Sequence, residues 1–393
     1  MYSSKAIRFL MFGLLYFTQG IIMSYFTSLN ALYFLSNGLT MTDAGIFAAI
    51  ALVPFVIKIF LGMLSDRVNL FGMGHRKPYI LIGLAVQLIC LVLVPKINLS
   101  TQYWWFVLIA FMLQMGMALY DTCTDGLALD STPEAEQGTL QGVMVGGRAF
   151  GVVVTASLLG LLADVAGWPW VFYALAILTL FAFPLVLGVR ETRRPAGQTF
   201  NWKAFAAFKS WPIAALAAAG LLMFFIINGS NQLVNPFLQS TFKISLSQAG
   251  LYTTIWGVGV VLGGVSGGLL LSKLGRKNAV LATLAFTIVA IAALSFIPSK
   301  MAAWPIIFLF GLAFGAYQAQ YYALAMAFTE KSIAASMYAI LMAVSNIGIA
   351  AGLSVSGILA DALPFRTVFL FLAGMNMLIL PFLPTIWRAR HKE

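Results

Sequence analysis

Four ionisable residues interrupt apolar stretches that are long enough to cross a bilayer. They are Lys58, Asp121, Asp125 and Arg148. A charge at mid-membrane costs roughly 2.5 to 3.5 kcal/mol on insertion scales, so such residues usually face a partner or a polar pathway. Two of the four are positive and two are negative. The sequence therefore predicts a charge-compensated cluster, as expected where a charged solute or a proton binds.

Helical spacing places these charges on polar faces. Asp121 and Asp125 are separated by four residues, which puts them on one helix face about 6 Å apart. Gln114 lies seven residues before Asp121 on the same face. Arg148 shares a face of its own helix with Thr155, seven residues later. Both faces are suited to polar neighbours rather than to lipid.

The residue types indicate two roles. A guanidinium group binds a carboxylate or phosphate through two hydrogen bonds and stays charged at physiological pH, so we expect Arg148 to anchor an anion. Asp121 or Asp125 would carry a proton, and protonation would release Arg148 from its carboxylate partner for the solute. The alternative is a permanent ion-pair lattice, including Lys58, that joins three helices and never contacts a ligand.

Composition identifies the elements that position these residues. The 393 residues are 61% hydrophobic and 9% charged, with a mean hydropathy of +0.94, whereas about a quarter of a soluble domain is charged. Helices of about 20 apolar residues cross a bilayer. We therefore predict an all-α membrane protein with twelve transmembrane helices. The predicted spans cover residues 8–34, 44–64, 79–95, 103–129, 138–163, 169–188, 212–239, 248–271, 278–297, 303–328, 334–360 and 365–387.

The distribution of basic residues predicts the orientation. The net charge is +11, and 17 of the 23 lysines and arginines fall on one side of the predicted membrane. Four fall on the other side, namely Lys96, Lys243, Lys300 and Arg366. This is the positive-inside pattern, so we expect both termini in the cytoplasm of a cell membrane, inner or plasma. The lipid bilayer accounts for the charge without a nucleic-acid partner.

Other chemistries are disfavoured by residue usage. Cys90 and Cys123 are single thiols inside spans, and His75 and His391 lie in a loop and at the tail. No metal-ligand set can be assembled from this spacing. A Gly-x4-Gly-Lys-Ser/Thr loop for ATP is also missing from the sequence. We expect no metal, no cofactor and no enzymatic activity.

An internal repeat divides the chain. Gly160–Asp164 reads GLLAD and recurs as GILAD at Gly357–Asp361, an offset of 197 that superimposes spans 4 to 6 on spans 10 to 12. Two parallel six-helix repeats about an axis normal to the membrane resemble the major facilitator superfamily. The predicted domains are an N-terminal bundle at 1–189, a cytoplasmic linker at 190–211 and a C-terminal bundle at 212–393.

Two loops carry a signature that resembles that superfamily. Residues 62–67 read GMLSDR and are followed by HRK at 75–77, and residues 268–277 read GLLLSKLGRK. The resemblance implies that these residues lock the cytoplasmic faces of the two halves together in the outward-open state; the alternative is an ordinary positive-inside loop. The implied gating residues are Asp66, Arg67, Arg76, Lys77, Asp130, Lys273, Arg276 and Lys277.

A narrower resemblance covers residues 15–165. The segments YFTQG at 16–20, LFG at 70–72, RKPY at 76–79 and GRA at 147–149 look like the folate-biopterin transporter family. The spacing of Asp121, Asp125 and Asp130 is similar to that family and to the related muropeptide permeases and acetyl-coenzyme A transporters. The resemblance implies a folate or pterin as solute, with muropeptides or coenzyme A esters as alternatives.

The second half offers amides and rings instead of charges. Four amides fall at i, i+3, i+4 and i+7 on span 7, a face that is unfavourable in lipid unless it borders a cavity or packs against polar groups. The superfamily resemblance implies that spans 1, 4, 7 and 10 line a central cavity, although most rings must be packing or interface residues. The candidate solute-binding residues are Arg148, Gln19, Gln114, Asn228, Asn231, Gln232, Asn235, Tyr317, Gln320, Tyr321 and Trp256.

Together these features predict a monomeric secondary transporter that moves a small organic anion by alternating access, coupled to protons. Asp121, Asp125 and Lys58 form the expected proton-coupling or ion-pair group. An alternative from another class is a non-transporting assembly factor or receptor, since fold does not imply function.

Overall fold

The computed structural model describes residues 4–189, 191, 203–328 and 334–388, and helices account for nearly all of them. Within these ranges there is no β-strand. The helices, in chain order, are α1 Lys5–Ser28, α2 Asn30–Ser36, α3 Met41–Val56, α4 Lys58–Arg67, α5 Lys77–Leu93, α6 Tyr103–Ser131, α7 Glu134–Ala166, α8 Trp168–Leu180, α9 Phe183–Leu187, α10 Lys203–Ala207, α11 Trp211–Phe242, α12 Leu246–Ser295, α13 Lys300–Ala327, α14 Ala334–Ala362, α15 Phe365–Met375 and α16 Leu383–Arg388, with 3₁₀ turns at Leu70–Gly72, Val94–Lys96 and Asn376–Phe382.

Twelve helical stretches of the described ranges are long and apolar enough to cross a membrane. This confirms the predicted all-α fold with twelve spans. Large apolar side chains such as Trp104, Val165 and Val289 are 65 to 79% exposed, as expected for surfaces that meet lipid. The protein is therefore a multi-pass membrane protein.

Two breaks in the helices have local causes. Pro54 has no N–H for the carbonyl of Ile50, and the helix breaks three residues later at Ile57. Lys58 consequently begins a new helix, α4. In α12, Gly275 takes a φ of +72° that glycine adopts readily, and it turns the chain between two spans.

The chain forms two compact units. The first comprises residues 1–29 and 50–200, and the second comprises residues 30–49 and 201–393. The domain boundary predicted at residue 189 places residues 30–49 in the first bundle. The observed units differ from the predicted domains because this segment groups with the second unit. Most of the predicted linker at 190–211 lies outside the described residues.

Close packing explains why residues 41–49 group with the second unit. A Cβ atom on Gly45 would lie 2.5 Å from the carbonyl oxygen of Leu353, and one on Gly357 would lie 2.3 Å from that of Met41. Only glycine permits this approach of α3 to α14. The Asp361 carboxylate then accepts hydrogen bonds from the backbone N–H groups of Met41 (3.0 Å) and Thr42 (2.7 Å). Asp361 thus caps the start of α3, where the helix dipole favours a negative charge.

Candidate functional site

Backbone contact between α1 and α7 brings the first pair of site residues together. A Cβ atom on Gly20 would lie 2.2 Å from the carbonyl oxygen of Arg148, and one on Gly147 would lie 2.3 Å from that of Gly13. These distances are shorter than any side-chain contact allows, so the two helices touch along their glycines. As a result the Tyr16 ring lies beneath the Arg148 guanidinium, whose central carbon is 5.3 Å from the ring centroid.

The carboxylate of Asp121 has a partner on each of its two oxygens. Lys58 Nζ lies 3.2 Å from Asp121 Oδ2, and Gln19 Nε2 donates to Asp121 Oδ1 at 2.8 Å. The Asp121 side chain is 7% exposed and that of Lys58 is 30% exposed. The helix break at Ile57 places Lys58 at the first position of α4. This ion pair joins α4 to α6, and Gln19 adds α1 to the contact.

The second carboxylate has a different partner. The Tyr16 hydroxyl donates a hydrogen bond to Asp125 Oδ1, and the tyrosine is 6% exposed. Asp125 itself is half-buried, and within the described ranges it has no ion pair closer than 4.0 Å. One phenol therefore contacts a carboxylate through its hydroxyl and a guanidinium through its ring.

Arg148 is the cation of the cluster without a carboxylate partner. Its side chain is half-buried, and among the described residues it makes no ion pair and no hydrogen bond. Its guanidinium instead makes a cation–π contact with the Tyr16 ring. Such a contact is worth about 0.5 to 2 kcal/mol, and it leaves all five N–H donors of the guanidinium available. The expected Arg148–aspartate pairing is therefore replaced by a pairing of Lys58 with Asp121.

The sequence predicted a cluster of the four charges but did not predict the contacts of Tyr16 with Asp125 and Arg148. Tyr16 lies three residues before Gln19, so both side chains occupy one face of α1. That spacing was the available signal. Gln114 is buried on α6, and its Oε1 atom has no hydrogen-bond partner among the described residues.

The predicted gating residues of the first unit form a local network. Arg76 Nη1 donates to Ser65 Oγ at 2.6 Å, and its Nε lies 3.6 Å from Asp130 Oδ2. Lys77 Nζ donates to the carbonyls of Leu187 and Val189. Arg67 is exposed, and the side chain of Asp66 lies outside the described part of the structure.

Glu191 is a residue of this network that sequence reasoning missed. Its carboxylate accepts hydrogen bonds from the backbone N–H groups of His75, Arg76 and Lys77, at the start of α5. A carboxylate is favoured at this end of a helix dipole. The start of the linker is thereby tied to the loop between the second and third spans.

The basic residues of the second signature loop are exposed. Lys273, Arg276 and Lys277 surround the turn at Gly275. Lys277 Nζ lies 5.4 Å from the centroid of the Trp387 ring, a cation–π contact within the second unit. No ion pair involves these three residues in the ranges that the structure covers.

Two of the four amides on α11 are used for packing. Asn235 Nδ2 donates to Thr253 Oγ1 at 3.0 Å, and Gln232 Nε2 donates to the carbonyl of Leu353 at 2.9 Å. Asn228 Nδ2 donates to the Phe224 carbonyl of its own helix. Asn228, Asn231 and Gln232 are half-buried, whereas Asn235 is buried.

The candidates on α12 and α13 are buried within the second unit. The Tyr317 hydroxyl donates to Asn376 Oδ1, and Gln320 Nε2 donates to Thr283 Oγ1, both at 2.8 Å. The Tyr321 ring packs against Gly220 and against Phe224. Trp256 packs edge-on against Phe314, with ring centroids 5.0 Å apart. These polar atoms and rings contact neighbouring helices, because α13 presents Tyr317 to Asn376, Gln320 to α12 and Tyr321 to α11.

Comparison with known proteins yields several transporters. The chain is 29% identical to the folate-biopterin transporter of Synechocystis sp. over 42% of its length and 34% of that protein, and 26% identical to the sialic acid transporter NanX of Escherichia coli over 55% of each. The chain therefore spans about a third to a half of these curated relatives. Among solved structures it resembles the nucleoside transporter NupG (TM-score 0.79, 17% identity, 98% and 99% of the two chains) and a D-xylose-proton symporter (TM-score 0.75, 17% identity, 97% and 96%).

Family membership rests on the sequence as well as on the fold. The model of the Major Facilitator Superfamily matches residues 9–340 and 216–393, which together cover almost the whole chain. The twelve helices, the repeat at residues 160 and 357 and the paired signature loops are consistent with this match. The chain belongs to the major facilitator superfamily of transporters.

Proposed function

We propose that this protein is a secondary active transporter that moves a small organic anion across the membrane, coupled to protons. One observation carries the proposal: Arg148 is half-buried in a membrane-spanning helix, yet no described carboxylate neutralises it within ion-pair distance. An uncompensated charge at this depth is unfavourable. A carboxylate or phosphate of the solute would complete the pair, because a guanidinium binds either group through two parallel hydrogen bonds.

The proton is assigned to Asp125. Asp121 already has Lys58 and Gln19 as partners on its two oxygens. Asp125 has one hydrogen-bond donor, Tyr16, and is half-buried rather than buried. It can therefore gain a proton without breaking an ion pair. We assign Asp121 and Lys58 to a structural pair and Asp125 to proton coupling.

A folate or pterin is the solute that we propose first. The similar protein from Synechocystis is named for folate and biopterin, and the similar protein from E. coli for sialic acid. Folate and sialic acid both carry carboxylates, which supports an anion as the solute class. Among the amide and ring candidates of the second unit, Asn228, Asn231 and Gln232 are half-buried, whereas Tyr317, Gln320 and Tyr321 are buried against neighbouring helices.

Alternating access is supported by the way one span is divided. The outer part of this span, α3, is held by Asp361 of α14, while the inner part, α4, is held through Lys58 by Asp121 of α6. The helix break at Ile57 separates the two parts. We propose that the span bends at this break when the solute site changes its exposure.

The proposed orientation follows from the positive-inside distribution. We propose that both termini, the Arg76 network and the loop around Gly275 face the cytoplasm, and that Asp361 lies near the opposite face of a cell membrane. We also propose that the protein acts as a monomer.

Solute counterflow in proteoliposomes tests the proposal. Proteoliposomes that contain the purified protein are loaded with unlabelled folate, a simple pterin, sialic acid or a muropeptide. Uptake of the same solute in labelled form is then measured with and without a pH gradient. We expect folate or pterin uptake that is stimulated by an acidic exterior. Flux of no tested anion, in liposomes where the protein is folded, would contradict the proposed class and favour a receptor or assembly factor.

Variants of Arg148 test whether this residue is required for transport. Arg148→Ala removes the anchor, and Arg148→Lys keeps the charge but loses the planar donor pair. Lys96→Gln removes an exposed cation far from the cluster and serves as the matched control. We expect flux to be lost in Arg148→Ala, reduced about tenfold or more in Arg148→Lys and unchanged in Lys96→Gln.

A further inference from the structure

Tyr16 contacts both members of the proposed mechanism at once. Its hydroxyl donates to Asp125 Oδ1, the proposed proton carrier, and its ring lies under Arg148, the proposed anion anchor. The side chain is buried at the glycine-lined contact of α1 with α7, which fixes the position of the ring. Asp125 and Arg148 are on different helices, α6 and α7, and the phenol of α1 bridges them.

We propose that Tyr16 is a positioning residue that couples protonation of Asp125 to anion binding at Arg148. This inference rests on the proposed function and goes beyond it by naming the residue that transmits the proton signal. The ionised Asp125 carboxylate accepts the hydrogen bond of the Tyr16 hydroxyl and so fixes the tyrosine. Because the Tyr16 ring lies under Arg148, the guanidinium is thereby kept near a negative charge. Protonation removes that charge and weakens the charge-assisted hydrogen bond, so the ring and the guanidinium are free to adjust to a solute anion.

Four neighbouring groups act on the charge of Asp125. Tyr16 comes from α1, Lys58 from α4, Asp121 from α6 itself and Arg148 from α7. Lys58 and Asp121 neutralise one another at 3.2 Å. The remaining interactions on Asp125 are the Tyr16 hydrogen bond and the field of Arg148, and only the first can be removed without changing a charge.

Tyr16→Phe is therefore the informative variant, because it keeps the ring under Arg148 and deletes the hydroxyl. The readout is the infrared absorption of a protonated carboxylic acid in reconstituted protein, followed as a function of pH without any solute. The band is assigned to Asp125 by its loss in Asp125→Asn. A hydrogen bond to the charged form favours that form, so deleting it should move the midpoint of the band upward by about one pH unit.

Tyr120→Phe provides the matched control. Tyr120 is a buried tyrosine next to Asp121, and its hydroxyl has no hydrogen-bond partner in the described part of the chain. We expect the midpoint in Tyr120→Phe to equal that of the unmodified protein. An unchanged midpoint in Tyr16→Phe, with the protein folded, would overturn the inference and leave Tyr16 as a packing residue.

The effect of Tyr16 on anion binding is measured as the pH dependence of folate affinity. In the unmodified protein, folate binding should strengthen as the pH falls, and in Tyr16→Phe the same strengthening should occur about one pH unit higher. In the Asp125→Asn background the Tyr16→Phe substitution should have no further effect on the pH profile. A persisting effect would contradict coupling through Asp125.

The experiments can contradict the proposed function and the proposed role of Tyr16 independently of each other. Folate affinity that survives in Arg148→Ala would contradict the anchor and hence the proposed function, while the infrared result would still report whether Tyr16 controls Asp125. Conversely, loss of affinity in Arg148→Ala together with an unshifted Tyr16→Phe midpoint would contradict only the role of Tyr16.

Discussion

At the scale of single residues, the partner of each charge decides what it can do. Asp121 is bound on both oxygens, by Lys58 and Gln19, and the pair is largely shielded from water. Removing one member of such a pair leaves a buried charge, which is much worse than removing both. Asp125 and Arg148 are not locked in this way and can exchange partners.

Lys58→Ala tests the structural assignment of the ion pair. It should destabilise the protein by about 3 kcal/mol, the lower end of the range for broken buried pairs, because Lys58 is 30% exposed. The double variant Lys58→Ala with Asp121→Asn should recover most of that loss, since Gln19 can still hydrogen-bond an amide. Thermal unfolding in detergent measures both; a double variant no more stable than the single one would argue against pairing as the cause.

Asp125→Asn tests the proton assignment. The asparagine imitates the protonated carboxylic acid and cannot ionise, so solute exchange should persist while its dependence on pH disappears. Exchange and gradient-driven uptake are measured side by side from about pH 5.5 to pH 8. If Asp121→Asn loses the pH dependence in the same way while Asp125 is intact, the proton-carrying residue would be Asp121 instead.

At the scale of helices, backbone contact sets the site. The α1 and α7 backbones touch at Gly13, Gly20 and Gly147, and this contact brings Tyr16 to Arg148. Side chains of ordinary size would separate the helices by several ångströms and remove the ring from beneath the guanidinium. The glycines therefore serve the site as well as the packing.

Two neighbouring glycines of α7 make a matched test of this contact. A Cβ atom on Gly147 would overlap the carbonyl of Gly13, whereas one on Gly146 would meet nothing within 4 Å. Gly147→Ala should lower the free energy of unfolding by about 1–3 kcal/mol through overpacking. Gly146→Ala should leave it unchanged or raise it by about 0.5–1 kcal/mol through helix propensity. Equal thermal midpoints for the two variants would contradict a glycine-dependent contact.

At the scale of the whole molecule, one span belongs to both compact units. Residues 30–49 group with the second unit and residues from 50 onward with the first. Pro54 and the break at Ile57 lie just past this division. A helix with a missing hydrogen bond bends more easily at that point, so we expect the span to bend near Ile57.

Hydrogen exchange of the divided span tests this arrangement. Asp361→Ala removes the acceptor for the N–H groups of Met41 and Thr42, so exchange should become faster across residues 41–49. The break at Ile57 should confine the effect, leaving residues 58–67 unchanged. Asp43→Ala, which removes the local bond to Thr40 but not the Asp361 contact, is the control. Equal loss of protection on both sides of Ile57 would mean that the span behaves as one rigid rod.

Sequence alone determined the class of this protein, because membrane insertion depends on the apolarity of successive 20-residue windows, which is a local property. The twelve spans, the shared face of Asp121 and Asp125 and the repeat at Asp164 and Asp361 all follow from spacing along one chain. These features required no knowledge of which helices touch.

Tertiary structure decided which groups pair. Helix spacing predicts a face, but the neighbour of that face depends on helix rotation and on the distance that glycines allow. The pairing of Lys58 with Asp121, the bridge made by Tyr16 and the hydrogen bonds that occupy Tyr317 and Gln320 all join residues at least 37 positions apart in sequence. Such contacts are set by packing between helices, which no local pattern in the chain specifies.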